Sequence, residues 1–205
     1  DEFRINSGLF EGKTTGAPLN FVIKNTDAKP KDYSALKDVY RPSHADYTYE
    51  AKYGTRDYRG GGRSSARVTA GWVAAGALVQ DLLEKQESIK ISAYVKKIGK
   101  VETNTASRYY TKDEVDKSVV RCPDTKIAEQ MIETVELAKR EKDSLGGVME
   151  CVITGIRAGV GSPLFAKLNA ALAQAMFSIN AVKGFEFGGG FEMAEKRGSE
   201  VNDEF

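Results

Sequence analysis

Residues 59–67 read Arg-Gly-Gly-Gly-Arg-Ser-Ser-Ala-Arg, and the apolar periodicity that starts within this run predicts a helix over residues 66–85. Three successive glycines can adopt backbone conformations closed to other residues, so we expect a sharp turn here. Ser64 or Ser65 would cap the helix. A helix N-terminus carries about half a positive charge and several unpaired N–H groups. With three arginines and two hydroxyls around it, this stretch predicts a site for phosphate or carboxylate.

The same run also has a plainer interpretation. A glycine turn with an ordinary N-cap and solvated arginines needs no ligand at all. The stretch matches neither the Walker phosphate loop nor the Gly-x-Gly-x-x-Gly run of dinucleotide-binding proteins. On local chemistry alone, both interpretations stay open.

Outward from this turn, strand and helix periodicities alternate along the chain. Strands are predicted at 19–23, 89–98, 148–156 and 181–187, and helices at 66–85, 112–117, 125–142 and 163–179. Ser162 and Pro163 would start the last helix, since proline is favoured at the first helical position. Residues 29–62 have no strong periodicity and hold six of the nine tyrosines, so we expect a long ordered loop. The mixture predicts an α+β fold or a layered sandwich, with residues 1–205 as a single domain.

Composition excludes several classes of function. Thirty Lys and Arg against 29 Asp and Glu give a net charge of +1, so no nucleic-acid partner is expected despite the Arg-Gly-Gly-Gly-Arg run. The longest apolar stretch, residues 70–79, is shorter than the roughly 20 residues of a membrane span, so no membrane partner is expected. Cys122 and Cys151 have no CxxC spacing and His44 is the only histidine, so no metal site is expected. Two lone thiols suit a reducing cytoplasm. The chain opens at Asp1 without a methionine, which suggests a piece of a longer protein.

A second run, Arg-Pro-Ser-His-Ala-Asp-Tyr at 41–47, brings His44 close in sequence to Arg41 and Asp46. Histidine ordinarily changes its charge near neutral pH, so His44 could exchange a proton with a ligand. A lone histidine is more often a surface residue or a satisfied core residue, and this alternative also stays open.

Together these runs closely resemble the chorismate synthase family. The resemblance rests on residues 41–49, 52–54 and 56–67, and it extends through Gly-Leu-Phe-Glu-Gly-Lys-Thr-Thr-Gly at 8–16 and through 25–27, 73–77, 159–161, Ser-Ile-Asn-Ala-Val-Lys-Gly at 178–184, and 198–200. It therefore spans essentially the whole chain.

The resemblance implies an enzyme of the shikimate pathway. It would convert 5-enolpyruvylshikimate 3-phosphate to chorismate by trans-1,4-elimination of phosphate, and would need reduced FMN. The implied fold is a layered β-α-β sandwich, here an incomplete version, and the implied assembly is a homotetramer. The family is also associated with NADP, and the source of the reduced flavin stays open.

The resemblance also assigns roles to individual residues. FMN would be contacted by Arg63, Ser64, Ser65, Asn180 and Ala181. The anionic substrate would be held by Arg41 and Arg67, and His44 would lie beside the flavin as the catalytic group that exchanges a proton.

The chain also departs from the family. The family's opening Gly-Glu-Ser-His-Gly run and its C-terminal Arg-His-Asp run have no counterpart, so we expect a central fragment. Ser43 stands where the family usually has Gly, and the other departures are Val68 for Glu, Trp72 for Arg, Arg157 for Pro and Ala166 for Asp. An alternative hypothesis follows from these differences: a truncated or inactive relative that acts only as a flavin- or phosphate-binding domain.

Overall fold

The computed structural model describes residues 2–202, apart from the side chain of Pro30. The described chain divides into two compact units. One contains the residues up to Gly76 together with those from Gly161 onward, and the other is Ala77–Val160. The prediction of a single domain stays a prediction.

The first unit contains two small antiparallel sheets and two of its own helices. Strand β1 (Phe3–Ser7) pairs with β4 (Asn20–Ile23), and β2 (Leu9–Phe10) pairs with β3 (Lys13–Thr14). A 3₁₀ turn covers Pro30–Leu36, helix α1 is Asp46–Tyr53, and helix α5 is Leu168–Phe177. Helix α2 (Thr69–Glu87) contains the boundary between the units.

The second unit is built on a three-stranded antiparallel sheet. Strand β5 (Lys90–Ile98) lies between β6 (Val101–Glu102) and β7 (Gly147–Thr154). The short helix α3 is Lys112–Asp116, and α4 is Thr125–Arg140. The apolar stripe of α4 packs against the sheet: Met131 is fully buried, with Val95 and Ile98 packed against its cluster. This is the burial that stabilises an amphipathic helix.

The α+β class predicted from the sequence is confirmed, and the small sheets agree with an incomplete sandwich. The strands predicted at 19–23, 89–98 and 148–156 and the helices at 112–117 and 125–142 all occur, with ends within two residues of the predicted ones. None of the helices in residues 2–202 combines the length and apolar content that a membrane crossing requires.

Besides the helix predicted at 66–85, which spans Thr69–Glu87, three predicted segments differ from the structure. Residues 29–62 are not one irregular loop, because α1 forms there, closed by Gly54 at φ +71°. The helix predicted from Pro163 begins at Leu168, because Leu164 has φ +66° and Lys167 is extended. The strand predicted at 181–187 is wrong: Ala181 has φ +68°, and within residues 2–202 no strand pairs with this segment.

Candidate functional site

The three glycines of the turn have the backbone that the sequence predicted. Gly60, Gly61 and Gly62 have φ values of +139°, +89° and +50°. A Cβ on Gly61 would lie 2.9 Å from Ser64 Oγ, so glycine is required there for space as well as for conformation. The turn is therefore a consequence of sequence, as expected.

The two serines after the turn form hydrogen bonds that stabilise it. The Ser64 N–H and the Ser64 Oγ both donate to the carbonyl of Gly61, at 2.8 and 2.6 Å. Ser65 Oγ accepts from the Arg67 N–H at 3.3 Å and so caps a 3₁₀ turn, Ala66–Val68, which confirms Ser65 as a cap. The α-helix itself begins three residues later than predicted, at Thr69. Because several N–H groups bond inside the turn, the arginine side chains carry much of the capacity to bind an anion.

An open pocket of about 890 Å³ lies between the end of α1 and this turn. Its size is within the range of small-molecule sites. The lining residues are aromatic, charged or small, with three arginines against one aspartate: Tyr49, Tyr53, Thr55, Arg56, Asp57, Tyr58, Arg59, Gly61, Gly62 and Arg63. Arg63 is exposed, and its guanidinium makes no hydrogen bond or ion pair with the rest of residues 2–202, so it is available to a ligand.

A second cluster is organised by the carboxylate of Asp46, the first residue of α1. The Arg41 side chain donates two hydrogen bonds to it: Nε donates to Oδ2 at 2.8 Å and Nη2 donates to Oδ1 at 2.9 Å. The Arg41 N–H adds a third bond, to Oδ2 at 3.1 Å. His44 Nδ1 lies 2.9 Å from Asp46 Oδ1. Asp46 is only 2% exposed, whereas Arg41 and His44 both reach the surface.

Arg56 is a buried cation beside the carboxylate of Asp46. It is 6% exposed at its side chain, and its Nη2 donates to the carbonyls of Leu36, Lys37 and Val39. Its Nε donates to Glu50 Oε2 at 3.0 Å. Its Nη1 is buried without a hydrogen bond and lies 3.8 Å from Asp46 Oδ1. Arg56 thus ties the segment before the cluster to α1 and places a second cation beside the buried carboxylate.

These contacts set the protonation states of the ion pair. The hydrogen bonds from Arg41 hold the pKa of Asp46 well below its usual range, and they outweigh the burial that opposes this shift. The same pairing raises the pKa of Arg41.

Residues 41–67 contain six Arg and Lys side chains against three Asp and Glu, so most of this segment's charge is positive although the whole chain is nearly neutral. Such a local excess attracts anions.

The structure brings together some of the predicted site residues. Arg41 and His44 meet at Asp46, and Arg63, Ser64 and Ser65 lie on the glycine turn. The Arg67 Nη2 donates to the carbonyl of Lys24 at 3.4 Å.

Asn180 and Ala181 lie in the turn that follows α5, closed by the Val182 N–H and the Ile179 carbonyl at 3.3 Å. Within residues 2–202, neither of them is hydrogen-bonded to the glycine turn or to the cluster around Asp46.

Sequence reasoning missed the structural importance of two residues, Asp46 and Arg56. The Arg-x-x-His-x-Asp spacing at 41–46 was a usable signal for the first. The sequence holds no such signal for Arg56, because its hydrogen bonds go to three carbonyls about twenty residues away in the chain, and only the structure shows them.

An α+β fold that carries a basic, tyrosine-lined pocket next to a buried ion-pair cluster belongs to the class expected to bind phosphorylated small molecules. Comparison with known families narrows this class. The family model for chorismate synthase matches residues 1–205. The chain therefore belongs to the chorismate synthase family, as the sequence motifs predicted.

Individual relatives and a solved structure agree with this assignment. The chain is 52% identical to the chorismate synthase of Cytophaga hutchinsonii and 51% identical to that of Christiangramia forsetii, in each case over all 205 residues and 57% of the relative. The chorismate synthase of Synechocystis sp. is 50% identical over the same span. A crystal structure of chorismate synthase matches with a TM-score of 0.80 and 32% identity, over the whole chain and 60% of that structure. The chain thus spans a little over half the length of its relatives.

Proposed function

We propose that the protein containing this chain is a chorismate synthase: it removes phosphate and a ring proton from 5-enolpyruvylshikimate 3-phosphate to give chorismate. The match of the chorismate synthase family to all of residues 1–205 carries this proposal. The arginines of the glycine turn and of the cluster around Asp46 support it, because their positive charge suits a substrate that carries a phosphate and carboxylate groups. The described residues offer nothing that favours the alternative of a non-catalytic binding domain.

The pocket beside the glycine turn suits reduced FMN. A phosphate group is matched by the arginines, and the flat ring system by the tyrosines that line the pocket. We assign the contacts with FMN to Arg63, Ser64, Ser65, Asn180 and Ala181. When bound, reduced FMN would supply the electron-rich ring that the elimination requires.

Arg41 and Arg67 are assigned to the substrate. The fork with Asp46 uses Nε and Nη2 of Arg41, and within residues 2–202 no hydrogen bond engages its Nη1. Nη1 can therefore point to an anion while the rest of the guanidinium is held rigid. Negative charge builds on phosphate as it departs, so fixed cations stabilise that stage more than they stabilise the bound ester.

His44 is assigned the proton exchange. Its Nδ1 faces Asp46, so Nε2 is the atom that can reach a ligand. A positioned histidine typically contributes about 10²- to 10⁴-fold to a rate through general acid–base catalysis.

The wider context of the proposal follows from the family. We propose a cytoplasmic homotetramer, with no nucleic-acid or membrane partner.

The test is an anaerobic assay of the intact protein with reduced FMN and 5-enolpyruvylshikimate 3-phosphate. Chorismate and inorganic phosphate should appear in equal amounts. The His44→Ala variant should lose roughly 100-fold or more in kcat while its FMN affinity changes little. Lys52→Ala, a change at an exposed residue of α1, the helix that follows His44, is the control and should keep its activity. Tight FMN binding without any chorismate from the unaltered protein would overturn the proposal in favour of the binding-domain alternative.

A further inference from the structure

We propose that Arg56 is a positioning residue of the candidate site: its buried guanidinium fixes the segment 36–40, which leads directly into Arg41. His44 follows three residues later in the same run. Arg56 would act through these two residues rather than on the substrate, because its own side chain is only 6% exposed. The role in catalysis rests on the proposed function, whereas the anchoring of the segment rests on contacts alone.

The contacts of Arg56 run along the whole segment. Its Nη2 donates to the carbonyls of Leu36, Lys37 and Val39, at 2.7, 2.8 and 3.0 Å. Nη2 carries two hydrogens, so the three acceptors share them and its donor capacity is used in full. The guanidinium carbon also lies 5.1 Å from the centre of the Tyr40 ring, which is within the range of a cation–π contact. The contacts therefore reach the end of the segment.

The bonded carbonyls lie where the chain leaves a 3₁₀ turn. The turn covers Pro30–Leu36, and the last carbonyls of a helical turn need partners from outside it. The same end of a turn favours a positive charge. Arg56 supplies both a donor and a charge, so the burial of its guanidinium is offset by partners that need it.

Glu50 of α1 sets the direction of this guanidinium. Its Oε2 accepts from Arg56 Nε at 3.0 Å, and Nε and Nη2 are held in one plane. The bond to α1 therefore aims Nη2 at the carbonyls of the segment. Asp46, the first residue of the same helix, accepts three hydrogen bonds from Arg41. Arg41 is thus tied to α1 from both sides, by Asp46 directly and by Arg56 through the segment before it.

Lysine cannot take over this role, although it keeps the charge. All donors of a lysine are on one nitrogen, whereas Arg56 donates from Nε to Glu50 and from Nη2 to the carbonyls. Arg56→Lys should therefore loosen the segment 36–40. The positive charge beside the pocket of the glycine turn would remain, so the affinity for reduced FMN should change little.

The first measurement is hydrogen–deuterium exchange of the intact protein, which reports local opening whether or not the protein is active. The amides to follow are those of Val39 and Arg41, which are both hydrogen-bonded. In Arg56→Lys they should exchange roughly 10- to 100-fold faster, the factor that one lost charged hydrogen bond amounts to. Arg4→Lys, the same change at an exposed arginine of β1, is the matched control and should leave these amides unchanged.

A second variant keeps the anchoring testable if Arg56→Lys does not fold. Glu50 is 42% exposed at its side chain, and Glu50→Ala removes only the bond that orients the guanidinium. The same amides should exchange faster, though less so than in Arg56→Lys. Unchanged exchange in a folded sample of either variant would overturn the anchoring.

The second measurement is the chorismate assay, which separates positioning from stability. A loss of folded protein lowers the apparent kcat and leaves KM unchanged, because the remaining molecules are intact. A misplaced Arg41 should instead raise the KM for 5-enolpyruvylshikimate 3-phosphate about 10-fold or more in Arg56→Lys. Faster exchange with an unchanged KM would overturn the positioning role. If the unaltered protein forms no chorismate, the proposed function fails, and the exchange result still decides the anchoring.

Discussion

Ser43 adopts a backbone conformation that favours glycine, directly before the candidate catalytic histidine. Its φ is +57°, and the resemblance described above implies a glycine at this position. A residue with a Cβ in this region is strained by roughly 1–2 kcal/mol, which exceeds the entropic cost of a glycine. The positive φ is a physical reason why a glycine would suit this position better than serine.

Ser43→Gly should therefore stabilise the protein, by up to about 1 kcal/mol in the free energy of unfolding. Urea denaturation measures this. Ser34→Gly lies in the 3₁₀ turn Pro30–Leu36 and outside the positive-φ region, so it should destabilise the protein instead. Equal losses of stability in both variants would show that position 43 is not strained.

Arg63 is the residue whose removal tests the flavin contact most simply. It is exposed on the glycine turn, so Arg63→Ala should not disturb the fold. A charged hydrogen bond is worth about 1.5–3 kcal/mol, so the dissociation constant for reduced FMN should rise by about 10- to 100-fold. Anaerobic fluorescence titration measures it, with Arg157→Ala, an exposed arginine of the other unit, as the control. An unchanged dissociation constant in Arg63→Ala would remove that residue from the FMN site.

The helices differ in how well their own sequence predicts them. Helix α4 has a clear apolar stripe, and its predicted and observed ends agree to within two residues. Helix α1 has no such stripe, since it reads Asp-Tyr-Thr-Tyr-Glu-Ala-Lys-Tyr, and bonds to other segments hold it in place. Periodicity detects a helix that packs on a core, and it does not detect one that is held by ion pairs.

Asp124 gives a test of local structure at the element scale. Its carboxylate caps α4 by accepting from the N–H groups of Lys126 and Ile127, at 3.0 and 3.1 Å. Asp124→Ala should cost about 1 kcal/mol of stability, because it leaves these donors without a partner. Thermal unfolding would show the loss, and the exposed mid-helix change Glu133→Ala should show none. Equal stability of Asp124→Ala and the original protein would mean that the cap contributes nothing.

At the scale of the molecule, the sequence predicted the fold class and the family correctly, and it failed where tertiary context decides. All the buried hydrophobic side chains of residues 2–202 lie between Tyr94 and Ala138, and there the predicted strands and helices are accurate. In the first unit, the segments at 163–167 and 181–187 depend on non-glycine residues with positive φ, such as Leu164 and Ala181. No periodicity indicates such backbone conformations.

The motifs at 41–47 and 59–67 predicted the location of the candidate site, but not its internal bonding. The glycine turn and the arginines around it, which we propose to bind phosphate, were visible as a run of glycines and arginines. That Asp46 would be the buried centre of the Arg41 and His44 cluster depended on side-chain geometry. Residue type thus predicts the chemistry of a site, while the hydrogen-bond network requires the structure.

The most direct test of the central claim, that these residues form a shared site for flavin and phosphorylated substrate, is an anaerobic titration of the protein with reduced FMN. It is made with and without 5-enolpyruvylshikimate 3-phosphate. We expect saturable binding of FMN that becomes tighter when the substrate is present. FMN binding that the substrate leaves unchanged, or no binding by a folded sample, would contradict a site shared by the two ligands.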